Sequence, residues 1–342
     1  STASEVVLTK TFRLVPKCCG VSFGGDHGNV SYVSTASTNV CINPNTMLGL
    51  GLLGGTGNST GTFDLRGSNS VTNGITKINE VFCMADSTGN DCNALATSNQ
   101  GIKISLLNPR PANFPGVKTP PSTLASLPKS PPLVLSTAAI PQKLINSPTF
   151  SNTSMLGCLS NYLDTTTNTK KCKLWYFNAN FTGTPSTNCT VSATEVQCIY
   201  DSMDYKNTDL VFLSGPRSVR LFFRSASNSS SDSVIAGGSG NNSIYHCKGT
   251  SYTLPTSGTT SEPISCTGTA PSIRDLALFG CESCGTQYVD LKGNSQALKM
   301  FAYFPNGNFN LSGNPNFEGV LWANTIQSSG NVTWTVPSAG LV

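Results

Sequence analysis

The sequence predicts an all-β fold whose C-terminal part is a β-solenoid, preceded by a β-rich N-terminal region and a proline-rich strap. Three observations predict it. Only 11% of the 342 residues are charged, less than half the ~25% of an ordinary globular chain. The 16 Phe, 9 Tyr and 3 Trp, with many Val and Ile, fall in short apolar runs between turns rich in Ser, Thr, Asn and Gly. That texture belongs to strands, and its aromatic and β-branched content is too high for a disordered chain. Near the C-terminus, Gly-Asn pairs recur at Gly293, Gly307, Gly313 and Gly330.

Residues 1–106 form the first region. In Glu5–Val15, the side chains of Val6, Leu8, Phe12 and Leu14 share one face, with Lys10 breaking the series. The period of two predicts a strand with one buried side. An extended apolar strand can complete a neighbour's sheet, so these four residues are the expected assembly contact. Beyond residue 20, short apolar bursts alternate with glycine-rich turns such as Gly49–Gly55 and Gly57–Gly61, where glycine permits tight corners.

Residues 107–150 change texture. Nine prolines fall between Asn108 and Gln142, including Pro120-Pro121 and Pro131-Pro132. Proline cannot donate to a ladder and favours extended backbone, which predicts a linker or a strap across the surface.

Residues 151–342 form the cysteine-stapled part. Leu174-Trp-Tyr-Phe177 is an apolar run, and Asp209-Leu-Val-Phe-Leu213 and Asp275-Leu-Ala-Leu-Phe279 open alike. Ser218–Phe223 and Gln287–Leu291 read as further strands. The Gly-Asn corners Gly293, Gly313 and Gly330 follow one another at similar but unequal spacings. Short strands between such corners are how a solenoid buries a continuous core, and Asn and Gly tolerate left-handed backbone at low cost. Gly-Asn hairpins in a β-sandwich are the alternative. In the solenoid, Val332, Trp334 and Val336 close the last coil and Pro337 stops the pairing.

A resemblance accompanies these residues. "LVFLSGPRSVRLFF", "DLALFG" and "LKGNSQALKMFAYFPNGNFNLSGNPNFEGVLWAN" resemble the C-terminal region of cyanobacterial type IV pilin-like surface proteins. That group includes prepilin-type proteins associated with hormogonium polysaccharide secretion. "FRLVPKCCGVSFGG", Phe12–Gly25, resembles the stretch after the N-terminal helix in that group. The likeness covers residues 8–25 and about 205–337, and it implies an extracellular setting without implying catalytic residues. Such proteins open on a hydrophobic anchoring helix, whereas this sequence opens on Ser1-Thr-Ala-Ser-Glu5. The expectation is a processed product, or a molecule that assembles or is released in another way.

Thirteen cysteines in a low-charge, β-rich chain fit an oxidising compartment. Cys83/Cys92, Cys158/Cys172, Cys189/Cys198 and Cys247/Cys266 sit at separations that suit local staples. Cys281 and Cys284 have the spacing of a redox motif or half a metal site. No second C-x-x-C occurs and no βαβ context surrounds the pair, so a tight structural disulfide is expected. Cys18 and Cys19 are neighbours, with Cys41 as partner for one and an inter-subunit bond open to the other.

Little else resembles chemistry. His27 lies in the turn Gly25–Gly28 beside Asp26, and His246 stands next to Cys247. These are the only two histidines, so general acid-base or zinc chemistry has little to draw on, and neither cofactor nor metal is expected. Asp201, Asp204 and Asp209 form the densest acidic stretch, but their spacing matches no calcium loop. A net charge of +4 spread thinly gives nucleic acid no basic face, and no apolar run reaches membrane-spanning length. The nine Asn-x-Ser/Thr sequons are a number this composition produces by chance. The expected function is therefore structural: an extracellular filament or surface-matrix subunit whose partners are copies of itself, with cell-surface polysaccharide as a further partner. The alternatives are a carbohydrate-binding adhesin using Trp175, Trp322 or Trp334, and a polysaccharide-acting β-helix enzyme.

Overall fold

A computed structural model describes residues 22–23, 30–31, 50–53, 62–66, 80–84, 93–94, 103–107, 120–128, 131–136, 149–227, 229, 232–237, 242–250, 252–253, 264–281, 283–293, 298–313, 316–330 and 333–335. These residues are all-β, with one short helical turn and one short 3-10 turn.

In chain order, β1 (Ser22–Phe23) and β2 (Val30–Ser31) pair with each other. An N-terminal block follows: β3 (Leu50–Leu53), β4 (Thr62–Arg66), β5 (Glu80–Met84), β6 (Asn93–Ala94) and β7 (Lys103–Leu107). Helical turn α1 (Ser122–Ala125) precedes β8 (Leu133–Val134), β9 (Leu156–Asp164) and β10 (Thr169–Asn178). Then come β11 (Cys189–Val191), β12 (Glu195–Tyr200), β13 (Met203–Asp204), β14 (Asp209–Ser214), β15 (Ser218–Phe223) and β16 (Ile235–Ala236). The remaining strands are β17 (Ile244–Lys248), β18 (Tyr252–Thr253), β19 (Ser265–Cys266), β20 (Leu276–Phe279), β21 (Gln287–Gly293), β22 (Leu298–Gly313), β23 (Asn316–Gly330) and β24 (Thr333–Thr335).

The pairing is dominated by three ladders. The first runs β11, β12, β15, β20, the first half of β22, β23, β3, β5, β7. The second runs β8, β13, β16, β21, the second half of β22, β23, β4, β6. The third is β9, β10, β14, β17. Every neighbour in them is parallel except β9 with β10 and β11 with β12. From β10 the chain visits the third, first and second ladders in turn, then the third again at β14.

Register carries this order into the sequence. On the third ladder Leu174 stands opposite Asp209 and Leu210 opposite Ile244, so these two turns are long and nearly equal. On the second ladder Gly293 stands opposite Gly313 and Gly313 opposite Gly330, so the last turns are much shorter. The two like openings, Asp209–Leu213 and Asp275–Phe279, lie on different ladders: β14 is in the third and β20 in the first.

Alternation puts one face of each ladder into a shared core. Trp175, Phe177 and Phe212 enter it from the third ladder, Val219, Leu221, Leu278 and Phe304 from the first, and Met203, Ile235, Val289 and Phe309 from the second. Each fully buried side chain of this kind contributes about 1.5–3 kcal/mol, so this cluster is the main source of stability. The opposite face of the third ladder builds a second cluster, with Tyr176, Val211, Leu213, Tyr245 and Ile264. The opposite face of the first ladder is buried too, where Phe222 stacks on Phe279 at 5.0 Å.

One end of the ladders is capped. Antiparallel β9 and β11 cover β10 and β12, and each cap carries a disulfide, Cys158–Cys172 and Cys189–Cys198. The antiparallel strands β9 and β11 end the third and first ladders, whereas the second ladder ends on β8, parallel to β13. Part of the proline-rich strap belongs to this end. Its β8 pairs with β13, and Trp175 Nε1 donates to Leu135 O at 3.0 Å. Among the described residues no helix is long and apolar enough to cross a membrane.

Candidate assembly surface

The most exceptional backbone is β23. One of its edges runs along β22 from Leu298 to Gly313. Its other edge is divided among three partners, all parallel: β24 against Asn316–Glu318, β3 against Leu321–Ala323, and β4 against Thr325–Ser329. Two of the three partners come from the far N-terminal side of the sequence, so the first and second ladders each continue across a join between remote segments. Backbone N–H and C=O groups supply this contact, as in strand addition between separate chains.

Several bonds hold β23 and its neighbour in place. Lys299 Nζ lies 3.2 Å from Glu318 Oε2, bridging β22 and β23. Lys299 O receives a 2.6 Å hydrogen bond from His246 Nδ1, tying β17 to β22. Burial, the largest influence, pulls the His246 pKa down to about 4. The ring is therefore neutral: Nδ1–H donates to the carbonyl, and Nε2 accepts from Ser214 Oγ at 2.8 Å. Ser214 is completely buried, so this Ser–His pair presents no nucleophile to a substrate and acts as a clamp between ladders.

The corner between the first and second ladders is bound by two amide side chains. Gln287 Nε2 donates to Phe223 O and Ser225 O, both at 3.0 Å, while its Oε1 accepts from Cys281 N at 2.9 Å. Asn306 Nδ2 donates to Cys281 O at 3.2 Å and Cys284 O at 2.9 Å. The Cys281–Cys284 disulfide closes the same corner whose two carbonyls accept from Asn306. The Cys247–Cys266 disulfide ties β17 to β19. Disulfides of this number belong to a protein that folds in an oxidising compartment.

Arg220 carries a charge on a completely buried side chain, opposite Gln197 on β12 and Ala277 on β20. Glu195 Oε2 lies 2.5 Å from Arg220 Nε, and Gln197 Nε2 donates to the same carboxylate through Oε1. Nothing in the sequence around a lone Arg on an apolar strand signals this arrangement.

The three acidic residues singled out from the sequence are separated in use. Asp201 Oδ1 accepts from Arg224 Nε at 3.3 Å, and Asp204 Oδ1 accepts from Lys206 N at 2.9 Å. Asp209 Oδ1 accepts from Ser243 N at 2.7 Å, and burial raises its pKa to about 6. No group of three or more His, Cys, Asp and Glu side chains that could hold a metal occurs among the described residues. Trp175 is 2% exposed, with its indole N–H bonded within the core, as a buried strand aromatic and not as the sugar platform of the adhesin alternative.

Val6, Leu8, Phe12 and Leu14 lie outside the described residues, as do His27, the side chains of Cys18, Cys19, Cys41, Cys83 and Cys92, and those of Trp322 and Trp334. Sequence reasoning misses the β23 edge because no periodic signal links residues near 50 and 62 to residues near 322 and 326. Comparison with protein families, curated proteins and solved structures returns no match for this chain.

Proposed function

We propose that the protein is an extracellular structural subunit, of a filament or a surface matrix, that acts by self-association. In this reading the three ladders are the sides of one β-solenoid, whose long early turns shorten toward the C-terminal end, from Gly293 to Gly313 and on to Gly330. The observation that carries it is the split edge of β23, where remote strands join by parallel backbone pairing. A body made of parallel rungs, hydrophobic within and low in charge, suits mechanical duty, because each rung stabilises the next. Among the described residues, Asp201, Asp204, Asp209 and the Ser214–His246 pair serve local structure.

Electron microscopy of native material over a range of concentrations tests this reading. Fibres or sheets built from a regular subunit support it. Monodisperse particles at every concentration, with an analytical-ultracentrifugation mass of one chain, reject it.

A further inference from the structure

The order of strands along the ladders bears on how copies could join. From the capped end, strands run upward in sequence from β8 at Leu133 to β23 at Gly330, and numbering then restarts with β3 at Leu50 and ends with β7 at Leu107. A single chain can form this only by returning from β7 to the capped end. There α1 packs beside β12, and Leu127 O accepts from Arg224 Nη1.

The return is long. From β7 to β12 the first ladder has seven steps, which at ~4.8 Å per step is about 34 Å. Only twelve residues lie between Leu107 and Pro120, and their thirteen Cα–Cα steps reach about 43–47 Å at full extension. Folding back onto its own β23 therefore uses most of the connection. If β3 and β4 dock instead on the β23 of another copy, β7 faces the capped end of its own body. The connection then crosses only two or three steps, about 10–15 Å. The chain then advances in one direction along the stack without reversing.

We infer that the 50–107 block is an exchangeable element, docking β3 and β4 on the β23 edge of the next copy to build a head-to-tail series. Such a heterologous contact propagates as an open chain of subunits wherever its rotation does not close a ring. The occupant of the β23 edge is thus a second copy of this chain, and the pairing is the one seen here between Leu50–Leu52 and Leu321–Ala323 and between Thr62–Arg66 and Thr325–Ser329. This inference rests on the self-association reading above.

Isotope mixing tests it with full-length chains. A ¹⁴N chain carrying p-benzoylphenylalanine at Gln327, which stands opposite Asp64, is mixed with ¹⁵N wild type, refolded, assembled and irradiated. A second variant carries the photoprobe at Asp64, reading the same contact from the other side. Exchange predicts that about half of the cross-linked peptides in a 1:1 assembled fraction join ¹⁴N to ¹⁵N segments. Assembled material with only ¹⁴N–¹⁴N cross-links overturns the exchange and leaves the structural function standing. Failure of wild type and both variants to assemble overturns both.

Discussion

Leu52 of β3 stands opposite Ala323 of β23 in parallel register, a pairing between segments separated by most of the chain. Gly51 and Leu50 continue it against Trp322 and Leu321, and β4 extends it along Thr325–Ser329. Two blocks that are distant in sequence thereby share one hydrogen-bonded stack.

Asp209 and His246 lie on adjacent strands of the third ladder and oppose each other in pH. Burial raises Asp209 to about 6, so the native state holds a proton that the unfolded chain releases at its ordinary, lower value. Its effect is to lower stability as pH rises from about 4 to 6, by roughly 2–3 kcal/mol. Burial lowers His246 to about 4, so its contribution is complete above about 6.5 and is lost as pH falls toward 4, by about 3 kcal/mol. The two slopes offset each other. Urea midpoints of wild type should change little between about pH 4 and 6. Asp209→Asn should make them rise steeply over that range, and His246→Gln should make them fall. Parallel pH profiles for the three proteins would contradict this.

Arg220 and Glu195 form a pair in which one side chain is fully buried. Arg220→Met leaves the carboxylate without its cation and should cost about 3–5 kcal/mol in chemical denaturation. The double variant Arg220→Met with Glu195→Met should recover much of that loss, because hydrophobic replacement of a whole buried pair is close to neutral. Additive losses in the double-mutant cycle would show that the pair is not coupled.

Gly319 sits at φ +149°, and a Cβ there would come 1.9 Å from Met300 O on the neighbouring strand. No side chain fits without moving backbone. Gly319→Ala should therefore separate β22 from β23 locally and cost at least about 2 kcal/mol. If copies join along β23 as proposed, the same variant should weaken assembly. Hydrogen exchange across Leu298–Phe304 reads the effect directly: unchanged protection would refute the close approach.

The disulfides should rank by the loops they close. Replacing both cysteines of Cys247–Cys266, whose sequence separation is 19, should cost about 3 kcal/mol in the chain-entropy account. Replacing Cys281 and Cys284, only 3 apart, should cost about 2 kcal/mol. Paired serine variants in urea measure both. The reverse order would mean that the corner carbonyls held by Asn306 outweigh chain entropy.

How far this is legible in the sequence varies with position. Leu311–Phe317 and Ser328–Trp334 share a Ser-Gly-Asn centre, and their spacing is the register itself: Leu311 faces Ser328 and Phe317 faces Trp334, the same step along the chain each time. The spacing survives there because the corners between those strands are short. The longer early turns, from Leu174 to Asp209 and from Leu210 to Ile244, contain loops of unequal length. The loops fall at different places, after Asn178 in one turn and after Phe223 in the other, so turns of nearly equal length share no recurring motif. The like openings at Asp209 and Asp275 mislead because Asp serves two unrelated ends. The Asp209 carboxylate accepts the Ser243 N–H, whereas Asp275 completes a capping box with Ser272. The described disulfides join cysteines close enough in sequence to be paired by spacing. Arg220, Gln287 and Asn306 are invisible to that reading because their roles depend on strands brought together only by the fold.

Diffraction from aligned assemblies tests the central claim most directly, because it reads the direction of the rungs without any substitution. If the ladders stack along the assembly axis, patterns should show a meridional reflection near ~4.8 Å, the spacing between hydrogen-bonded strands. Fibres that lack that axial reflection, or show it only on the equator, would contradict the account.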